Sequence, residues 1–384
     1  KKSTSQVLAE ACNVVINGHS RSYNKSSCDK AQSLLDQMIS LNTEYPTNSI
    51  ISPPLSYAYN SVLAAWSRCP PSDNNFGPND INKEEKDVPL QKMKDLLQFM
   101  KKQNNSFHVV KPSTMSYNTL LHAYAIRGHT PVALSLLSDM ETLPEYETNC
   151  RPDAVSYSIC MNSLLVEGET TDEAVGNRQK QNRISRGEQA EELLNRLMDK
   201  YKATKDERFR PQPATFGTVI ALHARRGRYQ SSTDNSNNNN NKRHKRNVHN
   251  PSTVKARTNT RKNLNEMFIG ARHAERVLDW MISLYHGEQQ GYRTTQQIEK
   301  EKQQQHSKNN IGNDVKSSNY KPRLAFFVTV LDAWGKCANG HKEAANRAEQ
   351  LLKRMEMLYE DGSNMDVRPN MQVRFSVIRS FVHF

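Results

Sequence analysis

Long apolar runs are missing from this sequence. No stretch of eighteen apolar residues occurs, and hydrophobic residues make up only 36% of the 384 positions. Because a helix that crosses a bilayer needs about 20 mostly apolar residues, we expect no membrane partner. Low hydrophobicity in so long a chain is typical of a fold in which each unit buries only the faces that touch its neighbours.

Paired cysteines are missing as well. The six cysteines are scattered without any Cys-x-x-Cys spacing, which argues against a zinc site or a disulfide framework. Cys12 and Cys160 occupy apolar positions of helical stripes, so we expect both to be small core residues. The sequence therefore predicts no bound metal and favours a reducing compartment.

Catalytic motifs are also missing. A zinc deaminase combines His-x-Glu with Cys-x-x-Cys, and only the first half occurs, at His286–Glu288 and His341–Glu343, which we interpret as helix ends. Clustered aspartates outside loops, Gly-rich phosphate loops and Gly-x-Ser-x-Gly turns are also absent. We predict no catalytic residues, no cofactor and no small-molecule substrate, and leave open a catalytic domain beyond Phe384.

What the sequence does contain is a repeated pair of helical stripes. In the least interrupted copy, apolar residues fall at i, i+3, i+4 and i+7 twice, first from Tyr117 and then from Ala133. This spacing lines up one apolar face of an α-helix. Between the two stripes Gly128 can end one helix and Pro131 can start the next, so the pattern predicts a helical hairpin.

Both stripes recur along the chain. The second-helix stripe opens at Ala31, Met93, Ala133, Ala190, Ala274 and Ala348. The first-helix stripe opens at Cys12, Tyr59, Tyr117, Tyr157, Phe216, Phe327 and Phe375. A proline stands five residues before each of the five openings from Tyr59 to Phe327, where it separates one hairpin from the next. Such recurrence indicates an internal repeat.

The segment from Ser116 to Asp153 resembles the pentatricopeptide repeat family. The family pattern of Tyr-Asn-x-Leu-Ile in the first helix, Ala-x-x-Leu-Leu-x-x-Met in the second and a closing Pro-Asp is similar to the residues found here. The Trp and Leu-Gly signature of the related tetratricopeptide repeat is not seen. The resemblance implies an all-α fold, a right-handed α-solenoid of tandem helix-turn-helix repeats, interrupted here by long disordered insertions.

The expected repeats are longer than the roughly 35-residue family unit, so every repeat carries extra loop. The predicted repeats are residues 9–55, 56–113, 114–153, 154–212, 213–323 and 324–370, with a partial one at 372–384. The predicted disordered insertions are residues 70–89, 167–186, 228–262 and 290–320. Their polar composition cannot bury enough apolar surface to offset the entropy of ordering.

Positive charge is concentrated in one insertion. Eleven basic residues and one acid between Arg225 and Lys262 account for +10 of the formal charge of +13. Mobile basic segments bind polyanions without sequence discrimination, so we expect nonspecific phosphate contacts from Lys242, Arg243, Lys245 and Arg246. A solvated tract with no partner is the alternative that composition leaves open.

The resemblance also implies residues that contact nucleotides. In the family, each hairpin presents one base to the residue after the first-helix aromatic and the last residue of the repeat, here called a recognition pair. The pairs are Asn13/Leu55, Asn60/Ser113, Asn118/Asp153, Ser158/Gln212, Gly217/Arg323 and Val328/Asn370. By the family's pattern Asn60/Ser113 looks like a cytosine pair and Asn118/Asp153 a uracil pair.

The other four pairs depart from the family's pattern. Gly217 has no side chain and the side chain of Val328 cannot hydrogen-bond, so base recognition in the second half is not predicted. The alternative is a purely structural role, in which Asn60 and Asn118 lie at helix starts and bond to nearby backbone. We interpret Tyr117 and its equivalents as packing residues, because they share a stripe with leucines.

The sequence therefore predicts an organellar protein, in mitochondria or plastids by family resemblance, that binds single-stranded RNA in processing, stability or translation. A protein-binding or ribosome-associated scaffold is the alternative, with other proteins as partners. The chain begins without methionine and stops inside a first helix, so we expect a piece of a longer protein.

Overall fold

A computed structural model describes the protein in nine segments, and its regular structure there is helical. The segments are residues 3–44, 52–70, 87–102, 110–143, 149–166, 184–226, 263–288, 320–337 and 342–382. Within these ranges no strand occurs. The predicted all-α fold is therefore confirmed.

Thirteen α-helices lie in the described ranges. They are α1 (Thr4–Ser20), α2 (Lys25–Glu44), α3 (Ser56–Arg68), α4 (Val88–Lys102), α5 (Thr114–Ile126), α6 (Thr130–Glu141), α7 (Ala154–Val166), α8 (Arg186–Thr204), α9 (Pro213–Ala224), α10 (263–288), α11 (Leu324–Cys337), α12 (Lys342–Glu360) and α13 (Met371–Val382). Odd-numbered helices correspond to the predicted first helices and even-numbered helices to the second.

The chain divides into two compact units, Lys1–Gln181 and Asn182–Phe384. In the first unit α1, α3, α5 and α7 pack side by side, and α2, α4 and α6 each pack on the first helices before and after them. In the second unit α9, α11 and α13 pack in order, with α8 on α9 and α12 on both α11 and α13. Each unit is thus built from tandem helical hairpins.

The predicted apolar stripes form the core of these hairpins. In α3, Tyr59, Val62, Leu63 and Trp66 are each at most 2% exposed. The stripes of α5, α7, α9 and α11 are buried in the same way. Those of the second helices are buried too, apart from one partly exposed leucine in each of α2, α6 and α12. Full burial of one large apolar side chain contributes about 1.5–3 kcal/mol, so these stripes hold neighbouring helices together.

The stripe predicted from Phe375 is wrong in register. Phe375 is 63% exposed, whereas Val373 and Val377 are buried. The Asn370 side chain accepts a hydrogen bond from the Val373 N–H at 3.0 Å and so fixes the start of α13. Phe375 then comes five residues after the cap, while Tyr117 comes four after Ser113, and one residue turns a helical side chain by about 100°.

The apolar stripe of α1 is also less buried than predicted. In α1, Ile16 is fully buried but Val15 is 48% exposed. Cys12 is only partly buried, so its assignment to the core was wrong, whereas Cys160 is fully buried. Burial raises the pKa of the Cys160 thiol to about 12, which keeps it protonated and unreactive at neutral pH.

Almost all residues of the four predicted insertions lie outside the described ranges. At the margins that are described, Val88 and Pro89 already belong to α4 and Arg186 starts α8. The last residues assigned to the insertions 70–89 and 167–186 therefore belong to helices. The insertions and repeat boundaries otherwise stay predictions. No helix within the described ranges is long and apolar enough to cross a membrane.

A polar contact joins consecutive hairpins at one recurring position, the last residue of the first-helix stripe. The Trp66 indole donates to Gln32 Oε1 on α2 at 3.2 Å. The Trp334 indole donates in the same way to Glu275 Oε2 on α10 at 3.0 Å. Each partner follows the alanine that opens the preceding second-helix stripe, so the contact repeats with the module.

The same position carries other side-chain pairs in other hairpins. Lys94 Nζ lies 5.8 Å from the ring centre of Tyr124, a cation–π contact between α4 and α5. His223 Nε2 lies 2.9 Å from Glu191 Oε2 between α9 and α8. Glu275 is buried and burial raises its pKa, with a further rise from Asp279. The same structural position thus holds a different side-chain contact in different hairpins.

Candidate nucleic-acid interface

The second member of each recognition pair lies at the start of the following first helix. Leu55, Ser113 and Gln212 are the N-cap residues of α3, α5 and α9. Asp153 directly precedes α7, and its Oδ1 accepts the Ser156 N–H at 2.9 Å. Within each unit neighbouring first helices pack side by side, so a recognition pair inside one unit joins two consecutive hairpins.

Asn118 and Asp153 are in direct contact. The Asn118 Nδ2 donates to Asp153 Oδ1 at 3.1 Å, and the Ser156 hydroxyl donates to Asn118 Oδ1 at 2.6 Å. Ser156 Oγ is also 3.0 Å from Asp153 Oδ1, but a hydroxyl has one proton and Asn118 is the nearer acceptor. A carboxylate only accepts, so the Asn118 amide nitrogen must face Asp153.

The Asn118 amide keeps capacity for a ligand. Its nitrogen has a second N–H and its oxygen a second lone pair after the two contacts above are counted. Both Asn118 and Asp153 are partly exposed. The contacts therefore fix the orientation of the amide and leave one donor and one acceptor for an external group.

Asn60 is held by the equivalent serine of the next hairpin. The Ser116 hydroxyl donates to Asn60 Oδ1 at 2.7 Å and accepts the Ser113 N–H at 3.2 Å. Ser113 Oγ lies 3.2 Å from Ser116 Oγ, so Ser113 reaches Asn60 through Ser116. These hydrogen bonds run to side chains of the following hairpin, and the alternative of bonding to nearby backbone does not describe them.

Asn13 lacks this support. Its Oδ1 is buried and has no hydrogen-bond partner within the part of the chain that the structure describes. Ser116 and Ser156 each stand three residues after the residue that directly precedes their helix, and in α3 that place is taken by Ala58. A methyl group therefore stands where the other two hairpins supply a hydroxyl.

Ala58→Ser is expected to stabilise the first unit. The new hydroxyl can donate to Asn13 Oδ1, and a net gain of about 1 kcal/mol is typical of such a hydrogen bond. Urea unfolding of the intact protein measures the change. Ala58→Ser in an Asn13→Ala background is the control, where the gain should disappear; an equal gain in both backgrounds would mean that Asn13 is not the acceptor.

The remaining first members of the pairs do not offer a free amide. The Ser158 hydroxyl donates to the Ala154 carbonyl at 2.8 Å, one turn earlier in α7. A Cβ at Gly217 would lie 2.4 Å from Cε1 of Phe326, so the Phe326 ring fills the space of the missing side chain. Val328 is partly exposed and apolar. These side chains are the physical reason for which we do not expect base recognition in the later hairpins.

Exposed apolar side chains flank the predicted pairs, and the sequence interpretation missed them. Tyr57, Met115 and Val155 are 52%, 65% and 50% exposed. Each stands three residues before Asn60, Asn118 or Ser158, and so shares a helix face with it. Their signal in the sequence is an apolar residue outside the stripe at a constant offset from the recognition pair.

His122 is a further polar side chain on this face, one turn after Asn118. Although the side chain is exposed at the surface, partial desolvation by its neighbours lowers its pKa, and the positive charges of Arg68 and Arg127 lower it further. The imidazole is therefore neutral at pH 7 and can both donate and accept. The four basic residues predicted to contact phosphate, Lys242, Arg243, Lys245 and Arg246, lie outside the described residues.

The fold and this surface define a helical-repeat protein, and residues 112–165 match the model of the PPR repeat family. Residues 112–165 thus match this family, and the resemblance found between Ser116 and Asp153 is confirmed over that segment. No curated protein matches the chain.

Solved structures with similarity include the pentatricopeptide repeat protein PPR10 in complex with an 18-nt psaJ RNA element, at 16% identity and a TM-score of 0.28. A cysteine-to-serine variant of that protein with the same RNA element gives the same values. The alignment covers 97% of this chain and 46% of PPR10, so the chain spans about half the length of these proteins.

Proposed function

We propose that this chain binds single-stranded RNA along its first helices, one nucleotide to each competent hairpin. The observation that supports the proposal most is the Asn118/Asp153 contact at 3.1 Å, with Asn60 in the equivalent place on the preceding hairpin. Two part-exposed amides are thus held in fixed orientation on adjacent helices. One such amide on each of two adjacent first helices would provide one position for each of two successive bases of a single strand.

Hydrogen-bond chemistry supports pyrimidines at these two hairpins. An amide with one free donor and one free acceptor complements the edge of a pyrimidine. A carboxylate accepts from the N3–H of uracil but would face the N3 lone pair of cytosine. A serine hydroxyl can donate to that lone pair. Asn118/Asp153 therefore favours uracil, and Asn60/Ser113 favours cytosine, as the family's pattern implies.

The flanking apolar residues suit the faces of the same bases. Tyr57 and Met115 stand beside Asn60 and Asn118 and expose about half or more of their surface. Stacking of a base on an aromatic side chain contributes about 1–3 kcal/mol and tolerates any base. In this proposal stacking supplies affinity, while the recognition pairs supply preference.

Replacing both Asn118 and Asp153 by alanine is expected to weaken binding of a uracil-containing oligonucleotide by about tenfold or more, because two charge-assisted or oriented hydrogen bonds are lost. Fluorescence anisotropy at fixed salt measures the affinity. Asp139→Ala on the exposed face of α6 is the charge-matched control and should leave the affinity unchanged. Unchanged affinity of the double variant would remove the claim that these residues contact a base.

A scaffold that binds proteins is the second candidate, because most of the net positive charge lies between Arg225 and Lys262, around the predicted insertion. Deletion of residues 229–262 separates the two. If RNA binding survives with its uracil dependence, the first helices carry it. If the deletion abolishes all RNA binding, the scaffold function is favoured.

The proposed cellular role is maturation, stability or translation of organellar RNA, in mitochondria or plastids. Family resemblance supports this role. Imaging of the full-length protein with a C-terminal tag tests it, and a purely cytosolic signal would contradict it.

A further inference from the structure

Three side chains that can bind metals converge in the second unit. Glu191 lies on α8, His223 on α9 and His273 on α10, and one ligand atom of each lies within 4.8 Å of the others. Among the described residues this is the one such group of histidine, cysteine or carboxylate side chains. The three are far apart in the sequence, so the cysteine spacing that argued against a metal has no bearing on them.

The distances within the group suit a tetrahedral ion. Glu191 Oε2 is 2.9 Å from His223 Nε2 and 3.8 Å from His273 Nδ1. Zn²⁺ binds nitrogen and oxygen at about 2.0–2.2 Å, which places tetrahedral ligand atoms about 3.4 Å apart. The two measured distances lie on either side of that value. The ligand atoms of all three side chains lie within 4.8 Å of one another.

Burial makes the group a formed site. The His223 side chain is 0% exposed, Glu191 17% and His273 24%. A Cβ at Gly187 would lie 2.5 Å from His223 Nδ1, so close helix packing holds the imidazole with its other nitrogen, Nε2, toward Glu191. Two ligands are thus held rigidly, while His273 is open to solvent on one side.

In the structure the positive charge next to the Glu191 carboxylate is the guanidinium of Arg276. Its Nη2 lies 2.6 Å from Glu191 Oε1 and 3.4 Å from His273 Nδ1. The guanidinium is 58% exposed, so it can turn away from His273 into solvent without loss of packing. Glu191 Oε2, the oxygen that faces both histidines, is not its hydrogen-bond partner.

The equivalent contacts of other hairpins show what is special at this one. In two of those hairpins an indole donates to one polar group, as Trp66 does to Gln32, and in a third Lys94 lies over the Tyr124 ring. Here an imidazole replaces the indole, a carboxylate replaces the amide, and a second imidazole comes from the next helix. An indole nitrogen only donates, whereas an imidazole nitrogen can also coordinate.

We propose that Glu191, His223 and His273 bind Zn²⁺, with water as the fourth ligand. The ion would join α8, α9 and α10, which belong to consecutive hairpins. The predicted basic insertion 228–262 lies between His223 and His273 in the sequence, so the ion would also fix both ends of that insertion. Closing so long a segment carries an entropic cost that ligand bonds offset.

Zinc binding by the full chain tests the site. Wild type is expected to bind Zn²⁺ with one-to-one stoichiometry in calorimetry, to show the visible absorption of tetrahedral Co²⁺, and to melt at a higher temperature with zinc. His273→Gln and Glu191→Gln, both at part-exposed positions, should each weaken binding by tenfold or more. Substitution of buried His223 is avoided because the protein could fail to fold.

Two controls separate this site from other histidines. His122→Gln removes an exposed histidine of the first unit. His244→Gln with His249→Gln removes those of the basic insertion. All three substitutions should leave zinc affinity and the Co²⁺ spectrum unchanged. Equal zinc affinity in wild type, His273→Gln and Glu191→Gln, or no stoichiometric binding by wild type, would overturn the proposal.

Discussion

Arg127→Ala is expected to lower the free energy of unfolding of the first unit by about 3–5 kcal/mol, the cost typical of breaking one buried ion pair. Arg127 Nε lies 2.8 Å from Asp87 Oδ2, and the two side chains are 6% and 4% exposed. With the guanidinium removed, the Asp87 carboxylate is buried with no opposite charge. That desolvated charge dominates the loss.

The same guanidinium closes the end of α3. It donates to the carbonyl oxygens of Cys69 at 2.6 Å and Ser67 at 3.0 Å, groups that a helix end leaves without helical partners. Asp87 in turn caps α4, because its Oδ1 accepts the Leu90 N–H at 3.1 Å. One side chain therefore connects the end of α3, the start of α4 and its own helix α5.

Urea unfolding followed by tryptophan fluorescence measures the effect, since Trp66 lies beside this network. Arg127→Lys keeps the charge but not the fork of donors and should lose less than Arg127→Ala. Arg68→Ala is the matched control: Arg68 is exposed and donates to the Ser20 carbonyl at 2.7 Å. A loss below about 1 kcal/mol for Arg127→Ala, equal to that of Arg68→Ala, would contradict this account.

Arg226 occupies the equivalent place in the second unit. It stands ten residues after the stripe opening Phe216, as Arg127 does after Tyr117. It pairs with Glu188 at 2.8 Å and Glu266 at 2.7 Å. The arginine that follows a first helix thus binds an acid near the start of the preceding second helix, Asp87 at α4 and Glu188 in α8. This rule is visible only after folding joins distant residues.

The helices and their buried faces could be predicted because their signal is local. The stripe from Tyr117 to Tyr124 lies within eight residues, and all four of its members are buried. The start of α13 could not be placed, since it depends on the Asn370 cap rather than on the aromatic residue. A shift of one residue was enough to turn Phe375 outward.

The recognition pairs could be located, but their connection could not. Nothing in the sequence shows that Ser116 would donate to Asn60 or that Phe326 would occupy the space at Gly217. Both contacts join hairpins separated by an insertion, so their spacing varies along the chain. The resemblance indicates which positions matter, and the packing of first helices decides what each one can do.

Asp153→Ser is expected to change the base preference of its hairpin from uracil to cytosine. The substitution gives this hairpin the pair that Asn60/Ser113 forms one hairpin earlier. Serine is as good an N-cap as aspartate, so the start of α7 should be retained. The hydroxyl can donate to cytosine N3, where the carboxylate could not.

The expected effect is about tenfold in each direction, since one hydrogen-bond mismatch costs about 1.4 kcal/mol. Ser113→Asp provides the reciprocal change at the preceding hairpin and should exchange its cytosine preference for uracil. Thermal unfolding of each variant shows whether stability has changed separately from base preference.

The most direct measurement of base recognition by these hairpins is the affinity of wild type and Asp153→Ser for two oligonucleotides that differ only in having C-U or C-C at the predicted dinucleotide. We expect wild type to favour C-U and Asp153→Ser to favour C-C. Identical affinities of both proteins for both oligonucleotides would contradict it.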